Sequence, residues 1–256
     1  MIPLERQRTI LRLLEERGTI SIGALVSALG VSHMTVRRDI HRLEELGRVV
    51  SVTGGVSRPA RLAFDQSHTV KEGLQRSEKA AIAEAATDYV SAGDVVFLDA
   101  GTTTLAIAQL LADREEITFV TNDLAIATYL SDRSPNELYL AGGRMDRANL
   151  SSEGVMAAAA IASFNIDVGF MSTSSFDLRG TSVTTGEKLL VKRAITENSS
   201  RTILVSDSTK YGKVASLRAI RLTDLNGIVS DTGLTLSAVE RINQLGIPLT
   251  LAEPRG

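Results

Sequence analysis

The chain has 256 residues, 43% of them hydrophobic, and a formal net charge of −2. That length accommodates one large domain, or a small domain followed by a medium one, with apolar material for a proper core. With no cysteine, disulfides and thiolate metal sites are excluded, which fits a reducing cytoplasm.

The charge is unevenly spread. Residues 1–62 hold ten Arg, no Lys and six Asp or Glu, whereas residues 63–256 hold eighteen Lys or Arg against twenty-four Asp or Glu. A basic end on an acidic body suggests a local polyanion contact. The opening "MIPLERQRTILRLLEERG" is charged every few residues and does not read as a signal peptide. No apolar run approaches the roughly 18 residues of a membrane-crossing helix, so no membrane partner is expected.

Three short helices fit the first 47 residues. Ile10, Leu13 and Leu14 recur at helical spacing and Gly18 ends that helix. Ser21 can cap "IGALVSALG", Gly30 makes a tight turn, and Ser32 can cap the next helix. "GRVVSVTGGV" then reads as extended chain interrupted by Gly54 and Gly55. Helix, helix, turn, helix and a Gly-containing hairpin make a winged helix-turn-helix pattern over residues 1–57.

In "VSHMTVRRDIHRLEELG" the residues Val36, Ile40 and Leu43 form the core face. Arg38 lies opposite, with Met34, Thr35 and Arg42 around it and Arg37 at the flank. The N-terminal half of such a helix reaches base edges in the major groove, where Arg can bond guanine in pairs and Thr or Met can meet a thymine methyl. Arg37 and Arg42 suit phosphates, and Asp39 is expected to steady a neighbouring Arg. The plainer reading, a solvated helix face, does not account for the turn before and the wing after. The expected contacts with double-stranded operator DNA are Ser32, His33, Met34, Thr35, Arg37, Arg38, Arg42, Thr53, Gly54 and Gly55.

These residues resemble the N-terminal signature of the DeoR/GlpR family of bacterial transcription regulators, VSxxT(I/V)RRDLxxLExxG followed by a Gly–Gly wing. Ile40 stands for the usual Leu, and Ser51 and Thr53 stand where members often carry Arg and His.

Residues 58–78 are polar with little periodicity and read as a linker, with an ordered Phe64. From residue 79 the pattern changes. "DVVFLD", "ITFVT", "ELYLA", "DVGFMS", "TILVS", "GIVS" and "PLTLA" are short apolar runs, most of them alternating with helical stretches. The expected fold class is therefore α/β, a mostly parallel sheet with helices on both faces over residues 79–256. "VMAAAAIASF" reads as a close-packed helix.

Open α/β sheets bind ligands at the C-terminal ends of their strands. There the first run gives Gly101, Thr102, Thr103 and Thr104 at a helix N-terminus, which favours an anion. The second gives Asn122 at a cap, the third Gly142, Gly143 and Arg144, and the fifth Asp207 and Lys210. Each feature alone is ordinary: a cap, a turn, a solvated lysine. Together they suggest one crevice for a phosphorylated polyol or sugar acid. The motifs "DAGTTT", "TND", "AGG" and "DSTKYG" also resemble the family's effector domain, which is similar to the sugar-phosphate isomerase fold. That resemblance implies that Asp99, Gly101, Thr102, Thr103, Thr104, Thr121, Asn122, Gly142, Gly143, Asp207 and Lys210 line the effector pocket. The run "FMSTSSFDLRGTS" departs from the family: Ser172, Thr173, Ser174 and Ser175 replace a Gly-containing segment.

The expectation is a regulator, a repressor by the family's usual mode, with a phosphorylated sugar or sugar-acid effector and a dimeric or tetrameric homo-oligomer. No cofactor, metal or catalytic residue is expected. An isomerase-like enzyme fused to a DNA-binding head is the alternative, but His33, His41 and His68 all fall outside the α/β body and no dedicated acid/base pair is evident. An interaction module without a small ligand is the third reading.

Overall fold

A computed structural model describes residues 1–255. The head comprises α1 (Pro3–Arg17), β1 (Thr19–Ile20), α2 (Ile22–Leu29), α3 (His33–Glu45), β2 (Val50–Val52) and β3 (Gly55–Ser57). Side-chain oxygens take up amides that a helix start leaves without partners: Ser21 Oγ accepts from Ala24 N–H, and Ser32 Oγ from Thr35 N–H. Ile10, Leu14, Leu25, Val36, Ile40, Leu43 and Val56 close the core between the helices and the wing. The strand order is β1-β3-β2. Gly55 is required by close approach, because a Cβ there would lie 2.3 Å from the Ile20 carbonyl oxygen.

Two expectations for the N-terminal third are corrected. Asp39 does not steady a neighbouring Arg of its own helix. It is buried beside Val36 and Leu43 and pairs with Arg6 of α1 at 2.6 Å. The segment expected as a linker is built into the molecule. Its β4 (Ala60–Arg61) pairs in parallel with β14 (Lys213–Val214), and its short helix α4 (His68–Glu72) is capped by Ser67. Phe64, expected to be ordered, is 76% exposed.

The body follows in chain order: α5 (Arg76–Ala86), β5 (Val95–Leu98), α6 (Thr102–Leu111), β6 (Thr118–Thr121), α7 (Leu124–Arg133), β7 (Leu138–Leu140), β8 (Arg144–Asp146), β9 (Ser151–Glu153) and α8 (Val155–Ile161). Then come β10 (Ile166–Met171), β11 (Phe176–Asp177), β12 (Gly180–Val183), α9 (Gly186–Asn198), β13 (Ser199–Val205), β14, β15 (Leu217–Arg218), β16 (Gly227–Asp231), α10 (Leu236–Gln244) and β17 (Leu249–Ala252).

All seven apolar runs join one parallel sheet in the order β17-β16-β13-β10-β5-β6-β7. Successive residues of a strand face opposite sides, and both sides are covered, as a parallel sheet requires. Val96, Leu98, Ile203 and Val205 pack with Ile82 of α5, Ile107 of α6 and Ile126 of α7. Phe97 and Leu204 pack with Ile161 of α8, Ile195 of α9 and Ile242 of α10. The chain runs outward through β5, β6 and β7, then returns to build β10, β13, β16 and β17 on the other side of β5. The topological switch point therefore lies between β5 and β10, where such sheets open a crevice at their carboxyl ends.

The head is held against the body by its own polar and apolar contacts. Glu45 accepts from Arg241 of α10 at 2.7 Å and from Arg42 at 3.1 Å. These two hydrogen bonds, Arg241 first, hold the Glu45 carboxyl below its ordinary pKa. Gly212 abuts Val50 so closely that a Cβ would lie 2.6 Å from Val50 Cγ2. The strap is tied to the same loop, with Ala60 N–H donating to the Gly212 carbonyl and Leu62 N–H to that of Val214.

Candidate functional site

The candidate residues gather on two surfaces. On α3, Ser32, His33, Met34, Arg37 and Arg38 are exposed, with Met34 at 76%. Thr35 is half-buried because Ser32 holds its amide and shares a hydrogen bond with its hydroxyl. Arg42 is exposed but engaged with Glu45, while Arg37 and Arg38 make no ion pair among the described residues. In the wing, Thr53 and Gly54 are exposed at the hairpin tip, where Gly54 takes a φ of 84°.

The second surface is a cavity at the switch point. It is lined beyond β5 by Asp99, Gly101, Thr102 and Thr103, beyond β6 by Asn122, beyond β10 by Ser172, Thr173 and Ser174, and beyond β13 by Asp207 and Lys210. Helix α6 starts at Gly101 without a side-chain cap, leaving its leading amides to the cavity, whereas α7 and α9 are capped by Asp123 and Thr185. The cap of α7 is thus Asp123, not Asn122. Asn122 instead accepts from Ala100 N–H and donates to the Ser152 carbonyl, which fixes the β5–α6 turn.

Five expected members are not in the cavity lining. Thr104 is fully buried and its hydroxyl donates to the carbonyls of Asp99 and Gly101. Thr121 donates to the Leu98 carbonyl at 2.6 Å inside the sheet. Gly142 and Gly143 follow β7, the edge strand beyond β6, away from the switch point. Gly143 packs against Ala157, which would meet a Cβ at 3.0 Å. Arg144 turns to Glu153 and is mostly exposed.

Lysines and strap residues missed by sequence reasoning take part instead. Lys192 of α9 is buried and bonds Asp99 and the Ser172 carbonyl. The same Asp99 oxygen accepts from Ser172 N–H at 2.8 Å and Ser172 Oγ at 3.0 Å. Asp99 is therefore a buried anchor under the Ser172 loop. Lys188, one turn before Lys192, pairs with Asp65 of the strap and with Asp146 at 3.3 Å. Burial opposes the Lys188 charge, but Asp65 and then Asp146 outweigh it and raise the pKa. Two lysines at i and i+4 on a helix share a face; that spacing was the available signal.

Lys71 of the strap also lines the cavity, donating to Asn149 Oδ1 at 2.7 Å. Burial, and then the fields of Lys188, Lys210 and Lys192, pull its pKa from 10.5 to about 8, with Asp65 opposing them. Between those values the folded chain binds fewer protons than the unfolded chain, so stability rises with pH across this window. Below it the charged ammonium destabilises the fold in full. Lys71→Met is therefore expected to raise the unfolding free energy of the ligand-free protein at pH 7 by on the order of 2 kcal/mol. Urea denaturation reads this, and a loss of stability would contradict the assignment.

Known proteins carry the same organisation. Residues 6–61 match the family model described as the DeoR-like helix-turn-helix domain, and residues 74–232 match the DeoR C terminal sensor domain. The HTH-type transcriptional regulator YgbI of Escherichia coli is 45% identical over 99% of this chain and 99% of its own. The transcriptional repressor AccR of Agrobacterium fabrum is 35% identical over 93% of each chain. The glycerol-3-phosphate regulon repressor of Escherichia coli is 28% identical over 96% of this chain and 98% of its own. A ribose 5-phosphate isomerase from Methanocaldococcus jannaschii aligns over 52% of this chain and 53% of its own, with a TM-score of 0.38 and 14% identity. With both halves matched in order and full-length relatives well above 30% identity, the chain belongs to the DeoR family of helix-turn-helix transcriptional regulators.

Proposed function

We propose that the chain is a sequence-specific operator-binding repressor whose DNA affinity is set by a phosphorylated sugar-like metabolite held at the switch point. One observation carries this reading: the walls of the cavity are the segments that hold the head. Lys71 lies on the strap, and Lys210 leads directly into the Tyr211–Gly212 turn against Val50. A ligand that draws these walls together alters the seat of the head. It switches DNA occupancy only if it binds one arrangement more tightly than the other.

The open N-terminus of α6 suits the phosphate, through the amides of Thr102 and Thr103 and the helix dipole. The hydroxyls of Ser172, Thr173 and Ser174 suit the sugar hydroxyls. A binding role fits better than catalysis, because Asp99 is committed to Lys192 and Ser172, and one oxygen of Asp207 is committed to Thr209. Each keeps a second carboxylate oxygen, so the choice against catalysis rests more on the full-length match to transcriptional regulators. A phosphorylated effector also fits a cytoplasmic protein, and no helix among the described residues is long and apolar enough to cross a membrane. A homo-oligomer, dimer or tetramer, places two or more heads on repeated half-sites.

A thermal-shift series with phosphorylated sugars and sugar acids tests the reading, since a ligand of the folded state raises the melting temperature by mass action. Absence of any shift from phosphorylated compounds would overturn it. On the reading face, Arg38→Ala is expected to cost about 1–3 kcal/mol of specific operator binding and to relax preference at one base pair. Binding-site selection with the variant checks this, and an unchanged base preference would remove Arg38 from direct readout.

A further inference from the structure

The cavity has two positively polarised ends. One is the start of α6 beyond β5; the other is Lys210 beyond β13. Strand β10 lies between those strands, so the ends stand two strand spacings apart, about 10 Å. The Ser172–Ser174 hydroxyls beyond β10 occupy the stretch between them.

The lysines of the lining differ in what already neutralises them. Lys192 is paired with Asp99, and Lys188 with Asp65 and Asp146. Lys79 donates to the carbonyls of Lys71 and Leu74 and holds the turn before α5. Of the other two carboxylates of the lining, Glu153 pairs with Arg144 through one oxygen while its second oxygen is buried without a partner, and Asp207 lies beside Lys210. Two cations are left. Lys210 has only a loose contact with Asp207, at 3.9 Å. Lys71 makes no ion pair among the described residues; the Asp65 field favours its charge in part, but Asp65 is paired with Lys188, and the field of Lys210 also reaches Lys71. A phosphate seated on the α6 amides lies two strand spacings from the Lys210 loop, so it leaves that end of the cavity without a counter-charge of its own.

We propose that the pocket takes a phosphorylated sugar acid in preference to a sugar phosphate, with the phosphate on the α6 amides and the carboxylate between Lys71 and Lys210. The proposal rests on the phosphate reading above and adds the second anion. A chain of roughly five carbons, at about 1.5 Å per bond, spans the two ends. Along that chain the hydroxyls meet the Ser172–Ser174 loop. The carboxylate also bridges the strap to the Lys210 loop, the two segments that hold the head.

Calorimetric titration of the full chain decides the matter with matched probes: erythrose 4-phosphate against 4-phosphoerythronate, ribose 5-phosphate against 5-phosphoribonate, and ribonate without phosphate. In at least one pair the acid is expected to bind about tenfold or more tightly than the aldose phosphate. Lys71→Met and Lys210→Met should each weaken binding of the acid by a larger factor than binding of the aldose phosphate, so that the preference shrinks; an unchanged preference in both variants overturns the carboxylate placement. Acid binding near pH 8 should also take up protons, because an anion beside Lys71 restores the charge that burial, and then the fields of Lys188, Lys210 and Lys192, disfavour. The melting temperature of each ligand-free variant guards against misfolding. Equal or weaker binding of the acid in both pairs, with aldose phosphates still bound, overturns this inference alone. Binding of ribonate as tight as that of 5-phosphoribonate, or no binding of any phosphorylated probe, overturns the phosphate reading itself.

Discussion

Lys192→Met is expected to destabilise the sensor domain by about 3–5 kcal/mol, because it strands a buried carboxylate. Asp99 is 1% exposed, and Lys192 supplies the cation beside it. The Ser172 amide and hydroxyl would remain as neutral donors to Asp99. They soften the loss without replacing the charge. Asp99→Asn on top of Lys192→Met removes the stranded charge, so the double variant is expected to recover most of the stability. Urea denaturation of the two single variants and the double separates this from simple packing loss. A Lys192→Met variant within about 1 kcal/mol of the parent would contradict a charge-pair anchor.

Lys210→Ala is expected to leave operator binding intact while removing the effector response. The coupling between two sites on a protein is typically about 1–3 kcal/mol, a change in DNA affinity of roughly 5–150-fold on ligand binding. The Lys210 ammonium lines the cavity and its backbone opens the turn against Val50, so its loss should abolish most of that factor. Fluorescence anisotropy on operator DNA, with and without effector, reads the ratio directly. A normal ratio in the variant would place the coupling elsewhere.

Much of this was legible from residue order, for reasons that are physical. The seven sheet strands are buried on both faces, so they stand out as short apolar runs such as "DVVFLD" and "TILVS". The caps at Ser21 and Ser32 were legible because they act locally. The strap was not: β4 has two residues and α4 five, and both exist through tertiary pairing with β14 and the cavity wall. Asp39 was misplaced although it lies three residues after Val36 and four before Leu43, on the buried side of α3. Its partner, Arg6, is 33 residues away.

The cavity itself was half legible. Gly101, Thr102, Thr103 and Lys210 were legible because they follow strands, and β5 and β13, on either side of β10, border the cavity. Gly142 and Gly143 were drawn in because they also end a strand, but strand order, which residue order does not reveal, puts that strand at the edge. Lys188 and Lys192 were passed over because lysines on an amphipathic helix usually cover a solvated face.

The central claim is that one chain reads DNA at α3 and is switched by a phosphorylated metabolite at the β5–β10 crevice. Its most direct test is operator affinity, on a sequence selected from random duplex DNA, measured with and without phosphorylated sugars and sugar acids. The account predicts that at least one phosphorylated compound changes the affinity by about fivefold or more, while its unphosphorylated counterpart does not. Specific DNA binding that no phosphorylated compound alters would contradict it.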